Sequence, residues 1–205
     1  MEKTMVPTHV YAESTPNPAT MKFVANQLLI ENGATVEYTD AAATANAPLA
    51  ARLFSFPFVT GVFIASNFVT ITKVESVDWY DVTLELREYI TNFLQAGNEV
   101  FLKAPEHTQH AASDAAEETF IPLDAQPANS QEEQIINILE EYVRPAVEGD
   151  GGAIHFKSFD NGILTVTLRG ACSGCPSSMV TLKSGIEGLF QRMMPEVQEV
   201  VAEEL

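Results

Sequence analysis

Two cysteines, Cys172 and Cys175, stand in the run "RGACSGCPSSM", and the chain has no others. Their Cys-x-x-Cys spacing offers two soft thiolates from one turn, which suits zinc, an iron–sulfur cluster or dithiol redox exchange. In a reducing compartment such a pair reads as metal-binding or catalytic before it reads as a structural disulfide. Pro176 suits the first position of a helix, which would make Cys175 its N-cap. Unpaired amides and the positive end of the helix dipole would then favour the thiolate form. Gly170 and Gly174 let the backbone approach whatever the sulfurs bind and leave amides to hydrogen-bond sulfur.

A thiolate metal site normally takes four ligands, and this loop provides two. His155 is a weak candidate for a third, because it shares a strand with Lys157 and reads as a solvated histidine. His107 and His110 fall in a polar connecting segment. The simplest completion is a second copy of the chain, whose own Cys172 and Cys175 would supply the other two thiolates. Beyond Ser130 the chain carries 12 acids and 5 bases, a net charge of about −7. Two such domains repel each other, with screening over about 8 Å at physiological salt. A dimer held mainly by a bridging cluster would therefore come apart when the cluster leaves, as a carrier requires. Two other readings stay open on the residues alone. One is dithiol redox exchange, which is expected in a βαβ context, whereas this loop follows a hairpin; the other is an inert pair.

The elements needed to position the loop are legible around it. Ser130 and Glu133 resemble a capping box before an apolar stripe of Ile135, Ile136, Leu139, Tyr142 and Val143. Pro145 should interrupt or kink that helix, and "EGDGG" should end it. "AIHFKSFD", Asn161-Gly162 and "ILTVTLR" predict a hairpin, with Leu164, Val166 and Leu168 on one face and Thr165 and Thr167 on the other. A helix from about Pro176 would bury Met179, Leu182, Ile186, Leu189, Phe190 and Met193. "EVQEVV" suggests a last strand. Arg169 and Lys183 flank the loop, either to offset the charge of a bound group or as solvated side chains. Asp150-Gly151-Gly152 reads as turn geometry, and Met179, Met193 and Met194 as core rather than ligands.

Residues 104–130 contain five acids and no Lys or Arg. They read as a flexible acidic linker, whose 27 residues would span on the order of 30 Å as a coil. Residues 1–103 read as α+β. "MKFVANQLLI" and "ATVEYTD" look extended, and "NAPLAARLFS" looks helical with Pro48 early in the helix. "FVTGVFIASNFVTITK" reads as a hairpin turned at Ser66-Asn67. "DVTLELREYITNFLQAG" reads as an amphipathic helix ending at Gly97. Trp79 is expected to anchor the preceding strands, and "TPNPAT", around Asn17, to form a rigid turn. The expected architecture is α+β, with two small α/β-sandwich-type domains at 1–103 and 131–205 joined by the linker.

Composition narrows the function. Eleven Lys and Arg against 28 Asp and Glu give a net charge of −17 with no basic cluster. Such a surface argues against nucleic acid and anionic membranes as partners. No apolar run approaches the length of a membrane span, and the N-terminal residues carry neither a secretory nor a presequence pattern, so a cytoplasmic location is expected.

Residues Arg144 to Val200 resemble the C-terminal domain of NifU, the Nfu-type iron–sulfur scaffold domain. The likeness is carried by Asp150-Gly151-Gly152, Gly170-Ala171-Cys172-x-x-Cys175-Pro176-Ser177-Ser178, Thr181-Leu182-Lys183 and Pro195-Glu196-Val197. "STPNPATMKF", "GVFIASNFVTITK" and Trp79 resemble the Nfu N-terminal domain. The resemblance implies a non-enzymatic scaffold or carrier. It would hold a [4Fe–4S] cluster, with [2Fe–2S] as the alternative, between two protomers through Cys172 and Cys175 of each. It would receive the cluster from an upstream assembly scaffold and pass it to apo iron–sulfur target proteins. A dithiol redox protein and a structural zinc-bridged dimer remain the alternatives.

Overall fold

The computed structural model describes residues 7–31, 33–103, 105, 109–111, 129–173 and 176–204. The chain divides into two compact units, Met1–Asp114 and Ala115–Leu205.

The first unit is built on a six-stranded sheet. Its strands are β1 (Val10–Ser14), β2 (Thr20–Ala25), β3 (Thr35–Tyr38), β4 (Val59–Ala65), β5 (Phe68–Lys73) and β6 (Gln109–Ala111), in the spatial order β1-β2-β5-β4-β3-β6. All neighbours are antiparallel except β3 and β6. The β4–β5 hairpin turns at Ser66 as expected, with φ of 43° there. One sheet face, including Phe23, Val36, Val62, Ile64, Val69 and Ile71, packs on helices α1 (Pro48–Leu53) and α2 (Trp79–Gln95). Pro48 opens α1, where its missing N–H costs nothing. Asp78 caps α2 by accepting from the Tyr80 amide. Helix α2 buries Val82, Leu86, Ile90 and Leu94 at helical spacing.

Two expectations for this unit need correction. The alternation in β3 predicts a half-buried strand, yet Thr35, Glu37, Phe63, Phe68 and Thr70 on the opposite sheet face are also buried. Lys22 is buried there too, paired to Glu13 at 3.2 Å with its ammonium 4.8 Å from the Phe68 ring centre. The second correction is β6, which lies inside the segment expected to be structureless and pairs with β3 in register Glu37 to His110.

The second unit starts with α3 (Ser130–Ile138). Its cap is Asn129, one residue earlier than the sequence pattern suggests. The Asn129 side chain accepts from the amides of Gln131 and Glu132 and donates to Glu132 Oε1 at 3.1 Å. A π-turn at Leu139–Val143 and helix α4 (Arg144–Gly149) continue the axis. Pro145 has no N–H and would crowd the carbonyl four residues back, and the wider turn accommodates it. The inserted residue rotates the stripe, so that Leu139, Val143 and Val147 are buried while Tyr142, expected inside, is exposed.

Strands β7 (Gly152–Asp160) and β8 (Ile163–Gly170) form the expected hairpin. Asn161 and Gly162 both have positive φ, 51° and 83°, as a two-residue turn of this hand requires. A bulge at Lys157 lets Phe156 and Phe159, three residues apart, both pack on the core. Helix α5 (Pro176–Met193) leads to β9 (Glu199–Glu204), which lies parallel to β8. Ile186 and Phe190 are buried on α5. Met193 is 45% exposed, and Met194 takes the core position assigned to it.

Candidate metal centre

The cysteine loop leaves the end of β8 and enters α5, as its sequence position suggests. Because β9 is parallel to β8, strand, loop, helix and strand form a βαβ crossover, and the loop sits outside the carboxyl end of β8. The preceding hairpin therefore does not separate this loop from a dithiol redox setting, contrary to the sequence argument.

The turn is tied down by backbone contacts. Ala171 N donates to Gly151 O at 3.2 Å, and Ser173 donates to Gly170 O from both its amide and its hydroxyl, at 3.2 and 2.9 Å. Gly151 and Gly170 have φ of 83° and 67°, which only glycine adopts without strain. Cys172 is 5% exposed and belongs to the buried cluster that includes Ile154, Leu168 and Ile186. Cys175 and Gly174 lie outside the described residues, as does His107.

Sequence reasoning missed Gly152. Gly151 alone supplies the positive φ of the turn, whereas Gly152 is a strand residue paired with Gly170. A Cβ on residue 152 would stand 2.7 Å from Cys172 Sγ and 2.6 Å from Arg169 O, closer than real atoms approach. The signal was present as a second glycine that the turn did not need.

His155 corrects the expectation of a solvated histidine, and Arg169 loses the solvated one of its two readings. Neither is solvated, since each is 1% exposed. Both lie, with Thr167, on the sheet face opposite the apolar core. Burial pushes the His155 imidazole down to about 3, with help from the charges of Arg169 and Arg144. Its basicity is thus suppressed by its surroundings, and nothing brings it to Cys172 as a ligand among the described residues. No group of three or more His, Cys, Asp or Glu able to hold a metal ion occurs among those residues. His110 belongs to the sheet of the first unit. Lys183 stands 3.7 Å from Glu187 and 3.8 Å from Glu199 rather than alone in solvent.

In the first unit, Trp79 Nε1 donates to Pro18 O at 3.0 Å. Asn17 Oδ1 accepts from Ala19 N at 3.0 Å, and Asn17 O accepts from Thr20 N at 3.0 Å. These contacts bear out a rigid turn in "TPNPAT" and an anchoring role for Trp79.

Residues 10–97 match the family described as "Scaffold protein Nfu/NifU N terminal", and residues 135–201 match the "NifU-like domain". The chain belongs to the Nfu/NifU scaffold family. Among its relatives is the NFU1 iron-sulfur cluster scaffold homolog, mitochondrial, of Drosophila willistoni, 33% identical over 93% of this chain and 62% of that protein. NifU-like protein 4, mitochondrial, of Arabidopsis thaliana is 36% identical over 95% of this chain and 65% of its own length. NifU-like protein 5, mitochondrial, of the same plant is 34% identical, covering 95% and 67%. The chain thus spans somewhat less than two thirds of the first of these relatives. Both domains of the family occur here, in the order found by the sequence reading, and the cysteine loop falls inside the NifU-like match.

Proposed function

We propose that this protein is an iron–sulfur cluster scaffold and carrier, and not an enzyme. Two copies hold one [4Fe–4S] cluster as cargo through Cys172 and Cys175 of each chain. The observation that carries this reading is the cysteine loop within the NifU-like match, in a chain whose relatives are named iron–sulfur cluster scaffolds. Two thiolates per chain are half of what a cluster takes, and a second chain supplies the rest. The cluster arrives from an upstream assembly scaffold and leaves to apo iron–sulfur proteins by thiolate exchange.

The acidic surface supports a reversible clamp. With a net charge of −17 per chain, two metal-free copies gain little by staying together. The N-terminal domain, tethered to the cargo domain, raises the effective concentration of a bound donor or target to as much as millimolar. A cytoplasmic location belongs to the same proposal, although the relatives carry "mitochondrial" in their names. Cell fractionation decides it.

Sedimentation tests the clamp. The metal-free chain is expected to sediment as a monomer, the cluster-loaded chain as a dimer, and chelation of the iron to restore the monomer. A tight metal-free dimer would overturn the clamp.

A further inference from the structure

We propose that the metal-free protein stows the Cys172 thiol in its core, and that Gly152 makes the seat. This rests on the iron–sulfur reading above, because the thiol needs to leave the seat only if it serves as a ligand.

Three observations converge on it. The Cys172 side chain is 5% exposed and sits within the apolar cluster of the second unit. A Cβ at residue 152 would stand 2.7 Å from this sulfur and 2.6 Å from Arg169 O, so a side chain there and the seated sulfur exclude each other. Gly152 has ordinary extended backbone within β7, so the turn does not require a glycine there; the close approach does. In this seat the residue is 5% exposed, so an atom shared with a second chain has little access to its sulfur.

Loading therefore requires the turn Gly170–Ser173 to swing the sulfur outward. Gly170, at positive φ, opens the moving part and can take up the change in backbone angle. The bond from Ala171 N to Gly151 O and the two from Ser173 to Gly170 O latch the stowed arrangement. Stowing would guard a ligand thiol against oxidation and stray metals until a partner chain arrives. Gly152 is a positioning residue in this scheme: it sets the balance between stowed and outward thiol and touches no cargo.

The test is thiol labelling of the full metal-free chain carrying Cys175→Ser, which leaves Cys172 as its only thiol. Iodoacetamide is expected to label Cys172 about tenfold or more slowly in the native chain than in urea, as for a group reached only by local opening. Adding Gly152→Ala should raise the native rate towards the unfolded rate while circular dichroism still reports a folded chain. Gly185→Ala is the control: nothing lies within 4 Å of a Cβ there, and the rate should not change. Equal labelling rates in native and unfolded chains overturn the proposal, and so does a folded Gly152→Ala chain that labels as slowly as its parent. If Gly152→Ala does not fold, the comparison of native and urea-unfolded labelling decides alone. Slow labelling of the Cys175→Ser chain, together with a wild-type chain that takes up no cluster, would sink the iron–sulfur reading and leave the seat in place. Fast labelling of the Cys175→Ser chain, with a wild-type chain that loads, would do the reverse.

Discussion

His155 on β7 and Arg169 on β8 are buried side by side on one face of the second sheet, and the fixed guanidinium charge helps keep the imidazole neutral. The pair lies at the end of the hairpin that leads into the cysteine loop, so its protonation state bears on the stability of the cargo domain.

The sign of the pH effect follows from the direction of the shift. The folded value of about 3 lies below the ordinary 6.5, so the unfolded chain takes up a proton that the folded chain refuses. The contribution of His155 is complete above the ordinary value and is lost as pH falls towards 3. Between roughly pH 6 and 4 the wild type should lose about 1.4 kcal/mol per pH unit more than His155→Gln. Urea unfolding at a series of pH values checks this; parallel pH profiles for the two chains would refute it.

Arg169 is the largest fully buried side chain among the described residues. Arg169→Ala removes a buried cation together with its packing, and should destabilise the second unit by about 3 kcal/mol or more. Arg169→Lys should also be destabilising, since a point charge cannot replace a planar fork. Thermal melts of the metal-free chain measure both.

Two glycines should respond in opposite directions. Gly162 has φ of 83°, and a Cβ there would meet Gln198 and the Glu196 carbonyl at 3.1–3.2 Å. Gly162→Ala is expected to cost about 1–2 kcal/mol. Gly185 sits within α5 with open space around it, so Gly185→Ala should stabilise by about 0.5–1 kcal/mol. The same melts resolve both signs.

The bond from Trp79 to the Pro18 carbonyl spans 61 residues and ties the first turn of α2 to the loop between β1 and β2. Trp79→Phe keeps most of the apolar contact and loses the donor. About 1 kcal/mol of first-unit stability should go with it. Transfer of cargo should be unaffected if Trp79 anchors rather than docks, and a transfer defect in a fully folded variant would contradict that role.

Local chemistry explains which features were legible beforehand. Asn161-Gly162, Pro48 and the helical stripes of α2 and α5 are each specified within a few residues, so the sequence pattern was enough. The failures are non-local. Alternation in β3 and β8 marks one buried face, but whether the other face is also covered depends on residues far along the chain. That is why His155 read as solvated, and why the burial of Glu37, Thr167 and Arg169 had no signal in the pattern. The π-turn before Pro145 moved Tyr142 out of the stripe, and the one-residue error at the α3 cap arose because Asn129 and Ser130 are both good caps. At the candidate site the cysteine pair was legible from spacing. The seat under Cys172 was not, because a missing Cβ has no pattern until two strands meet.

Anaerobic reconstitution followed by iron, sulfide and zinc analysis tests the central claim most directly. The wild type is expected to bind about two irons and two sulfides per chain, four of each per pair, with broad absorption near about 400 nm. Cys172→Ser and Cys175→Ser should each retain none while staying folded. A colourless wild-type chain holding half a zinc, or a cluster retained by either cysteine variant, would contradict the account.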